Sequence, residues 1–230
     1  MSKVLWLLVG RGGSKGVVNK NLRRIGGRTL VEHKLGGAIA AGARDIVVSS
    51  DSPEIRGVAM HYGASREIVR PPELASDEAT TASVVRHALG HLPEDYDAVM
   101  LLEPSAPFTK AEHYSRAMDL MRDQDADLVV GVRRSEPHVA FIGEQRADGS
   151  VTNIIMQFQR MARRRQDFTP CVTMSGALYL FKTEMFLRTG DIYGGARNFS
   201  VMQSRWEGLE IDEPEDLALA EFAYERGYVG

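Results

Sequence analysis

The chain is 230 residues long and 43% hydrophobic, enough to bury a full core as one domain. Its formal net charge of -3 excludes bulk attraction to nucleic acid, although a local basic cluster can still hold a small anion. Cys171 is the only cysteine, which excludes an intramolecular disulfide and argues against a cysteine-built zinc site.

Residues 4–9 form an apolar run of about six residues, shorter than the roughly 7–15 of a secretory core. Glycines and cations follow it where a small-residue cleavage site would stand, so a buried parallel strand is the better reading. No stretch approaches the roughly 18 apolar residues of a membrane span. The chain therefore reads as cytoplasmic, with neither a membrane nor nucleic acid as partner. A helix is predicted at 30–41, a strand at 45–50, and a helix at 53–62 with Pro53 at its first position, where the missing N–H costs nothing. A short strand at 67–70, a helix at 79–92, a strand at 97–102, a helix at 111–123 and a strand at 127–132 follow. This alternation is the signature of a parallel sheet with crossover helices.

From 137 to 170 the helical stripe disappears. Asp148-Gly149 marks a hairpin turn there, and Arg160, Arg163, Arg164 and Arg165 crowd together. Strands return at 177–181 and 209–211, and a helix at 214–226 closes the chain. The expectation is a single α/β domain over 1–230: a Rossmann-like, mostly parallel sheet flanked by helices, with 137–170 as a small excursion.

The strongest local signal is Gly10-Arg11-Gly12-Gly13-Ser14-Lys15-Gly16, followed by Lys20-Asn21, directly after the first strand. Ligands of open α/β sheets sit at the carboxyl ends of strands. Glycines let backbone N–H groups approach phosphate oxygens, while Arg11, Lys15 and Lys20 offset the charge of a triphosphate. A Walker loop is excluded because Lys15 follows Ser14 and precedes Gly16. A dinucleotide fingerprint from Gly10 is excluded because Lys15 stands where it needs glycine. A plain tight turn would need neither so many glycines nor three cations. His87 and His91 have helical i, i+4 spacing, but no Glu follows His87, so they read as surface or structural rather than as metal ligands.

With these motifs the chain resembles the acylneuraminate (CMP-sialic acid) and deoxy-octulosonate cytidylyltransferases, in the same order and nearly end to end. The resemblance is carried by Arg11 to Gly16 with Lys20-Asn21, by Ser49-Ser50-Asp51-Ser52, and by Arg70-Pro71-Pro72-Glu73-Leu74-Ala75-Ser76-Asp77. Leu101-Leu102-Glu103-Pro104-Ser105-Ala106-Pro107, Arg165-Gln166-Asp167, Ser175-Gly176-Ala177-Leu178-Tyr179 and Glu210-Ile211-Asp212 complete it. It implies CTP as the donor, a small acidic acceptor, and transfer of CMP with release of pyrophosphate. By the same resemblance Arg11 and Lys15 are catalytic, with Lys20 also on the phosphates. Gly12, Gly13 and Ser14 belong to the triphosphate loop, Asn21 holds the ribose, and Arg70, Ala79 and Thr81 read the base, with Asp77 supporting that loop. Two prolines after Arg70 fix an extended backbone and so aim its guanidinium. A homodimer is implied, with 137–170 against the partner. Glu103, Ser105, Arg165, Gln166 and Ser175 are acceptor-side candidates, although Arg163 to Arg165 also fit a solvated face.

On a strand Glu210 and Asp212 point to one side, and paired hard oxygen ligands beside a triphosphate suit Mg²⁺. Asp212 also suits a helix cap before Pro214. The acceptor half departs from the sialic acid pattern. Glutamine is usual where Glu103 stands, threonine-serine at Ser105-Ala106, arginine at Thr109 and Thr173, asparagine at Ser175, and aspartate at Glu210; a lysine expected near Ala140 is missing. Unpaired polar groups discriminate strongly between substrates, so these changes argue against N-acetylneuraminate itself. A related sugar acid or a smaller acid such as a phosphonate fits instead. Glu103 is then either a base for a hydroxyl acceptor or a group holding Arg165. Two further readings are a nucleotide-binding protein without catalysis, suggested by Glu210 and Glu103, and GTP as the donor.

Overall fold

The computed structural model describes residues 3–135, 138–152 and 170–229. β1 (Val4–Val9) leads through a single 3-10 turn at Lys20–Leu22 to a small hairpin, β2 (Arg24–Ile25) and β3 (Arg28–Thr29). Then come α1 (Leu30–Ala40), β4 (Ile46–Ser50), α2 (Pro53–Tyr62), β5 (Arg66–Val69), α3 (Thr81–Gly90), β6 (Ala98–Leu102), α4 (Ala111–Asp123) and β7 (Leu128–Arg134). A second hairpin, β8 (Glu144–Gln145) and β9 (Val151–Thr152), lies in the excursion and turns at Asp148-Gly149 as expected. β10 (Val172–Lys182), α5 (Thr183–Thr189), β11 (Asn198–Met202) and α6 (Pro214–Glu225) complete the described chain.

Seven of these strands form one sheet in the order β11-β7-β10-β6-β1-β4-β5. All neighbours are parallel except β10, which runs antiparallel to both β6 and β7. Because β10 is reversed, its beginning lies where its neighbours end. A register shift between Met174 and Tyr179, with Gly176 at φ 68, bends it there; only glycine enters that left-handed region without strain.

β1 shows why the sheet is central. Leu5 and Leu7 face one layer and Trp6 and Leu8 the other, and all four are buried, as a strand covered on both faces requires. The Trp6 face is covered by α1, α2 and α4, and the Leu5 face by α3 and α5. A third cluster seats α6 against the first hairpin through Ile25, Leu30, Phe108, Ile211, Ala220 and Ala223. Local signals start the helices. Thr29 and Glu32 close a reciprocal capping box on α1, and Ser52 caps α2 ahead of Pro53. Among the described residues no helix is long and apolar enough to cross a membrane.

The strand expected at 209–211 is not formed. Leu209 and Ile211 mimic alternation, but the segment is irregular: Leu209 N–H turns back to the Trp206 carbonyl at 3.2 Å and Ile211 N–H donates to the Ser105 carbonyl at 2.8 Å. The strand expected at 177–181 is longer, and α5 and β11 were not anticipated.

Candidate active site

The strand order reverses between β1 and β6, and a crevice is expected beyond their carboxyl ends. A cleft of about 510 Å³ lies there. The loop after β1 contributes Arg11, Ser14, Lys15, Lys20 and Asn21. The segment after β5 contributes Arg70, Asp77, Ala79 and Thr81, while Glu103, Ser105 and Asp212 form a third side.

The path of the glycine loop is set by close approaches. Gly12 N–H donates to Asp51 Oδ1 at 3.0 Å, and a Cβ on Gly12 would lie 3.1 Å from the Ser52 Cβ. A Cβ on Gly16 would overlap the Asp212 carbonyl oxygen, so the loop meets the 212 segment only through glycine. A side chain at Gly13 would meet open space, so the fold makes no such demand there. Asn21 is buried, and its Nδ2 donates to the Arg11 carbonyl at 3.0 Å, fixing the loop's far end.

The cations are held by carboxylates. Arg11 Nη1 lies 2.6 Å from Asp77 Oδ1, and Lys15 pairs with the other oxygen of the same carboxylate. These bonds, that from Lys15 foremost, hold Asp77 below the usual carboxylate range. Asp77 therefore does more than support the segment after β5: it links that segment to the glycine loop. Lys20 Nζ lies 2.8 Å from Asp212 Oδ1. Asp212 does not cap α6. Glu213 occupies the cap position, and the Asp216 carboxylate accepts both the Asp212 and Glu213 N–H groups, at 3.0 and 2.9 Å. Arg70 is buried against β4, its Nη2 donating to the Ser49 carbonyl at 2.6 Å, and burial lowers its pKa.

The opposite wall is acidic. Burial first, and the charge of Glu210 second, raise Glu103 to about 7. Glu210 is raised as well, by desolvation and by Asp212; its carboxylate packs on Gly176, where a Cβ would come within 2.5 Å of Oε2. Beneath them lies a residue that the sequence reading passed over. Lys34 is fully buried, and its Nζ donates to the Ala106 carbonyl at 3.0 Å, to Thr109 Oγ1 at 3.0 Å and to the Ala177 carbonyl at 2.5 Å. Desolvation lowers its pKa to about 7 against the raising influence of Glu103 and Glu210. Its signal was available: Leu30, Val31, Lys34, Leu35 and Ala38 form the buried stripe of α1, and Lys34 interrupts it.

A pH test follows from Glu103. Between its ordinary value of 4.5 and about 7 the unfolded chain has lost this proton and the folded chain keeps it. Glu103 thus makes stability fall as pH rises through that window. Glu103→Gln should remove this slope, gaining on the parent protein between pH 5 and pH 7 in metal-free urea unfolding; parallel curves would refute the assignment.

Ser105 is in the cleft, whereas Ser175 lies outside it, buried at the bend of β10 with its Oγ donating to Gln203 Oε1 at 2.6 Å. Arg165 and Gln166, with the rest of the arginine cluster, lie outside the described residues. The rings of His91 and His87 lie 4.1 Å apart, tilted at 38°, and His91 Nδ1 bonds the His87 carbonyl, as a structural pair would. Among the described residues one triad could bring three ligand atoms together, Glu112, His113 and Glu207. Its groups are already committed: Glu207 pairs with Lys110 at 3.0 Å and accepts from Ser204 N–H at 2.9 Å, and His113 Nδ1 accepts from Lys110 N–H.

Residues 6–224 match the family model described as "Cytidylyltransferase". The chain is 28% identical over 218 residues to an N-acylneuraminate cytidylyltransferase of Streptococcus agalactiae serotype V, a match covering 94% of this chain and 52% of that one. The chain thus spans about half the length of that relative. It is 27% identical over 223 residues to a CMP-N,N'-diacetyllegionaminic acid synthase of Legionella pneumophila, covering 95% of each. Among solved structures, a CMP:2-keto-3-deoxy-manno-octonic acid synthetase complexed with CTP superposes with a TM-score of 0.70. That match covers 98% of this chain and 100% of the other at 15% identity, and shows the fold alone.

Proposed function

Because the chain belongs to the cytidylyltransferase family, we propose that it transfers CMP from CTP to a small acidic acceptor and releases pyrophosphate. The observation that carries this reading is the convergence of Arg11, Lys15 and Lys20 with Asp212 in one cleft at the strand-order reversal. A triphosphate needs concentrated positive charge, and its transfer needs that charge aimed at oxygens that become more negative in the transition state. Arg11 and Lys15 serve the α-phosphate and the leaving pyrophosphate, and Lys20 serves the remaining phosphates. Gly12, Gly13 and Ser14 offer backbone N–H groups, Asn21 takes the ribose, and Arg70, Ala79 and Thr81 take the base. An acceptor oxygen attacks the α-phosphorus in line as the bond to pyrophosphate breaks, with no covalent enzyme intermediate.

Glu210 and Asp212 would hold a divalent metal, with Mg²⁺ the ion their chemistry suits. They fit it: both offer hard oxygens, and Glu210, raised first by burial and then by the Asp212 charge, would be favoured in its ionised form by a cation. Such an ion would neutralise charge on the phosphate oxygens. The acceptor is a nonulosonate-like sugar acid, which the names of the relatives support. A homodimer built through 137–170 is supported by exposed Val139, Ile142, Val151, Val172 and Met174 in and beside that segment. A monomer in sedimentation equilibrium would overturn that assembly.

The direct test mixes protein, CTP and Mg²⁺ with N-acetylneuraminate, diacetyllegionaminate, deoxy-octulosonate and an alkylphosphonate, and measures pyrophosphate. Turnover with at least one acid is expected, and Asp212→Asn should lose the Mg²⁺-dependent rate while remaining folded. CTP binding without turnover would leave a nucleotide-binding protein. No turnover and no CTP binding would overturn the reading. A larger thermal shift with GTP than with CTP would move the donor assignment.

A further inference from the structure

Next to the acidic wall the structure buries polar donors that the fold itself does not use. Gln203 follows β11 and is 3% exposed, yet its Nε2 has no hydrogen-bond partner among the described residues. Arg133, on β7, has a buried Nε in the same condition. An unpaired buried donor costs stability, so two in one place call for an explanation.

They are in one place by register. Gln203 N–H donates to the Val132 carbonyl at 2.8 Å, which sets Gln203 beside the residue preceding Arg133. The amide is also oriented: its Oε1 accepts from Ser175 Oγ at 2.6 Å, so Nε2 is turned away from Ser175. Glycines make the room. A Cβ on Gly131 would overlap Gln203 Oε1 and come within 2.7 Å of Ser175 Oγ, and one on Gly208 would lie 2.9 Å from the Ser175 Cβ. Ser175 precedes Gly176, against which the Glu210 carboxylate packs, and Glu210 stands two residues before Asp212 of the cleft, so the group lies directly behind the acidic wall.

We propose that Gln203 Nε2 and the Arg133 guanidinium form the subsite that binds the acceptor's oxyanion, with Ser175 as the positioning residue that aims the Gln203 amide. This rests on the transferase reading above and names how that site selects an acid. Two N–H donors on neighbouring segments, one of them cationic, match the two oxygens of a carboxylate or phosphonate.

The test uses whichever acid of the panel turns over, together with its methyl ester, which keeps the shape but lacks the charge. Gln203→Glu keeps the oxygen that Ser175 needs and replaces the NH2 donor with a second oxygen. Arg133→Met removes the cation from a half-buried position and guards against a misfolded Gln203 variant. Each should raise KM for the acid about tenfold or more, leave KM for CTP unchanged, and shrink the preference for acid over ester. A CTP-induced thermal shift equal to that of the parent shows that the variants are folded. Unchanged acceptor KM and unchanged acid-over-ester preference in both variants would overturn the subsite alone. No turnover of any acid by the parent would overturn the transferase reading, and the subsite with it.

Discussion

Lys15→Ala is expected to lower kcat/KM for CTP roughly 100- to 1,000-fold, the loss typical when one charge-stabilising donor is taken from an active site, while the thermal midpoint stays in place. The two halves of this result have separate physical origins. The Lys15 side chain is 80% exposed and touches the fold through an ion pair with Asp77 at the surface. Exposed pairs of this kind contribute little to folding, because water screens them and two long side chains must be ordered to form them. In the transition state the same ammonium faces developing charge inside a cleft, where water no longer screens it. Steady-state pyrophosphate release and a thermal melt on the same preparation check both halves. Near-parent activity would remove Lys15 from the mechanism, and a large fall in the midpoint would make its role structural.

Lys34→Met is expected to show the opposite pattern first: a loss of about 3 kcal/mol in unfolding free energy, read from urea denaturation. Methionine fills much of the lysine stem's volume, so the cost is not chiefly a cavity. It arises because the Ala106 carbonyl loses its Lys34 bond and Thr109 and Ala177 lose one bond each, in an interior that water does not reach. An unsatisfied buried acceptor costs about 1–3 kcal/mol, so three lost bonds together cost about 3–9 kcal/mol. Ala177 is partly protected, since Thr109 Oγ1 also donates to its carbonyl at 3.1 Å, which places the expectation at the low end of that range. Unchanged stability would mean that these oxygens find other donors and that Lys34 is not the pin between α1, the Glu103 loop and β10.

The cleft's cationic side was legible because its residues are contiguous in sequence. Arg11 to Gly16 and Arg70 to Thr81 each follow a single strand, and the cleft collects what those two loops carry. The fold was legible for a related reason: buried parallel strands such as 98–102 are uninterrupted apolar runs bounded by polar turns. What stayed hidden depends on distant parts of the chain meeting. β11 reads Asn-Phe-Ser-Val-Met with only Val201 buried, too faint a pattern at a sheet edge. Gln203 matters only because it lands beside Val132, 71 positions earlier in the chain, and Arg133 looks like one more surface arginine until that register is known. Lys34 is buried by the Glu103 loop and the bend of β10, neither of which its own helix can announce. The 209–211 segment misled for the converse reason: two apolar residues in alternation satisfy the strand pattern, but no neighbouring strand is there to pair with them.

The reversed direction of β10 separates the two tasks assigned to this molecule. Residues assigned to the nucleotide hang from β1 and β5 on one flank of the sheet, while Arg133 and Ser175 sit on β7 and β10 and Gln203 follows β11 on the other flank. Substitutions on the second flank would therefore change the acid taken in the proposed reaction without disturbing the residues assigned to the nucleotide. In the laboratory, a mutant library confined to residues 131–133, 173–177 and 203 would explore new acceptors at constant affinity for the donor.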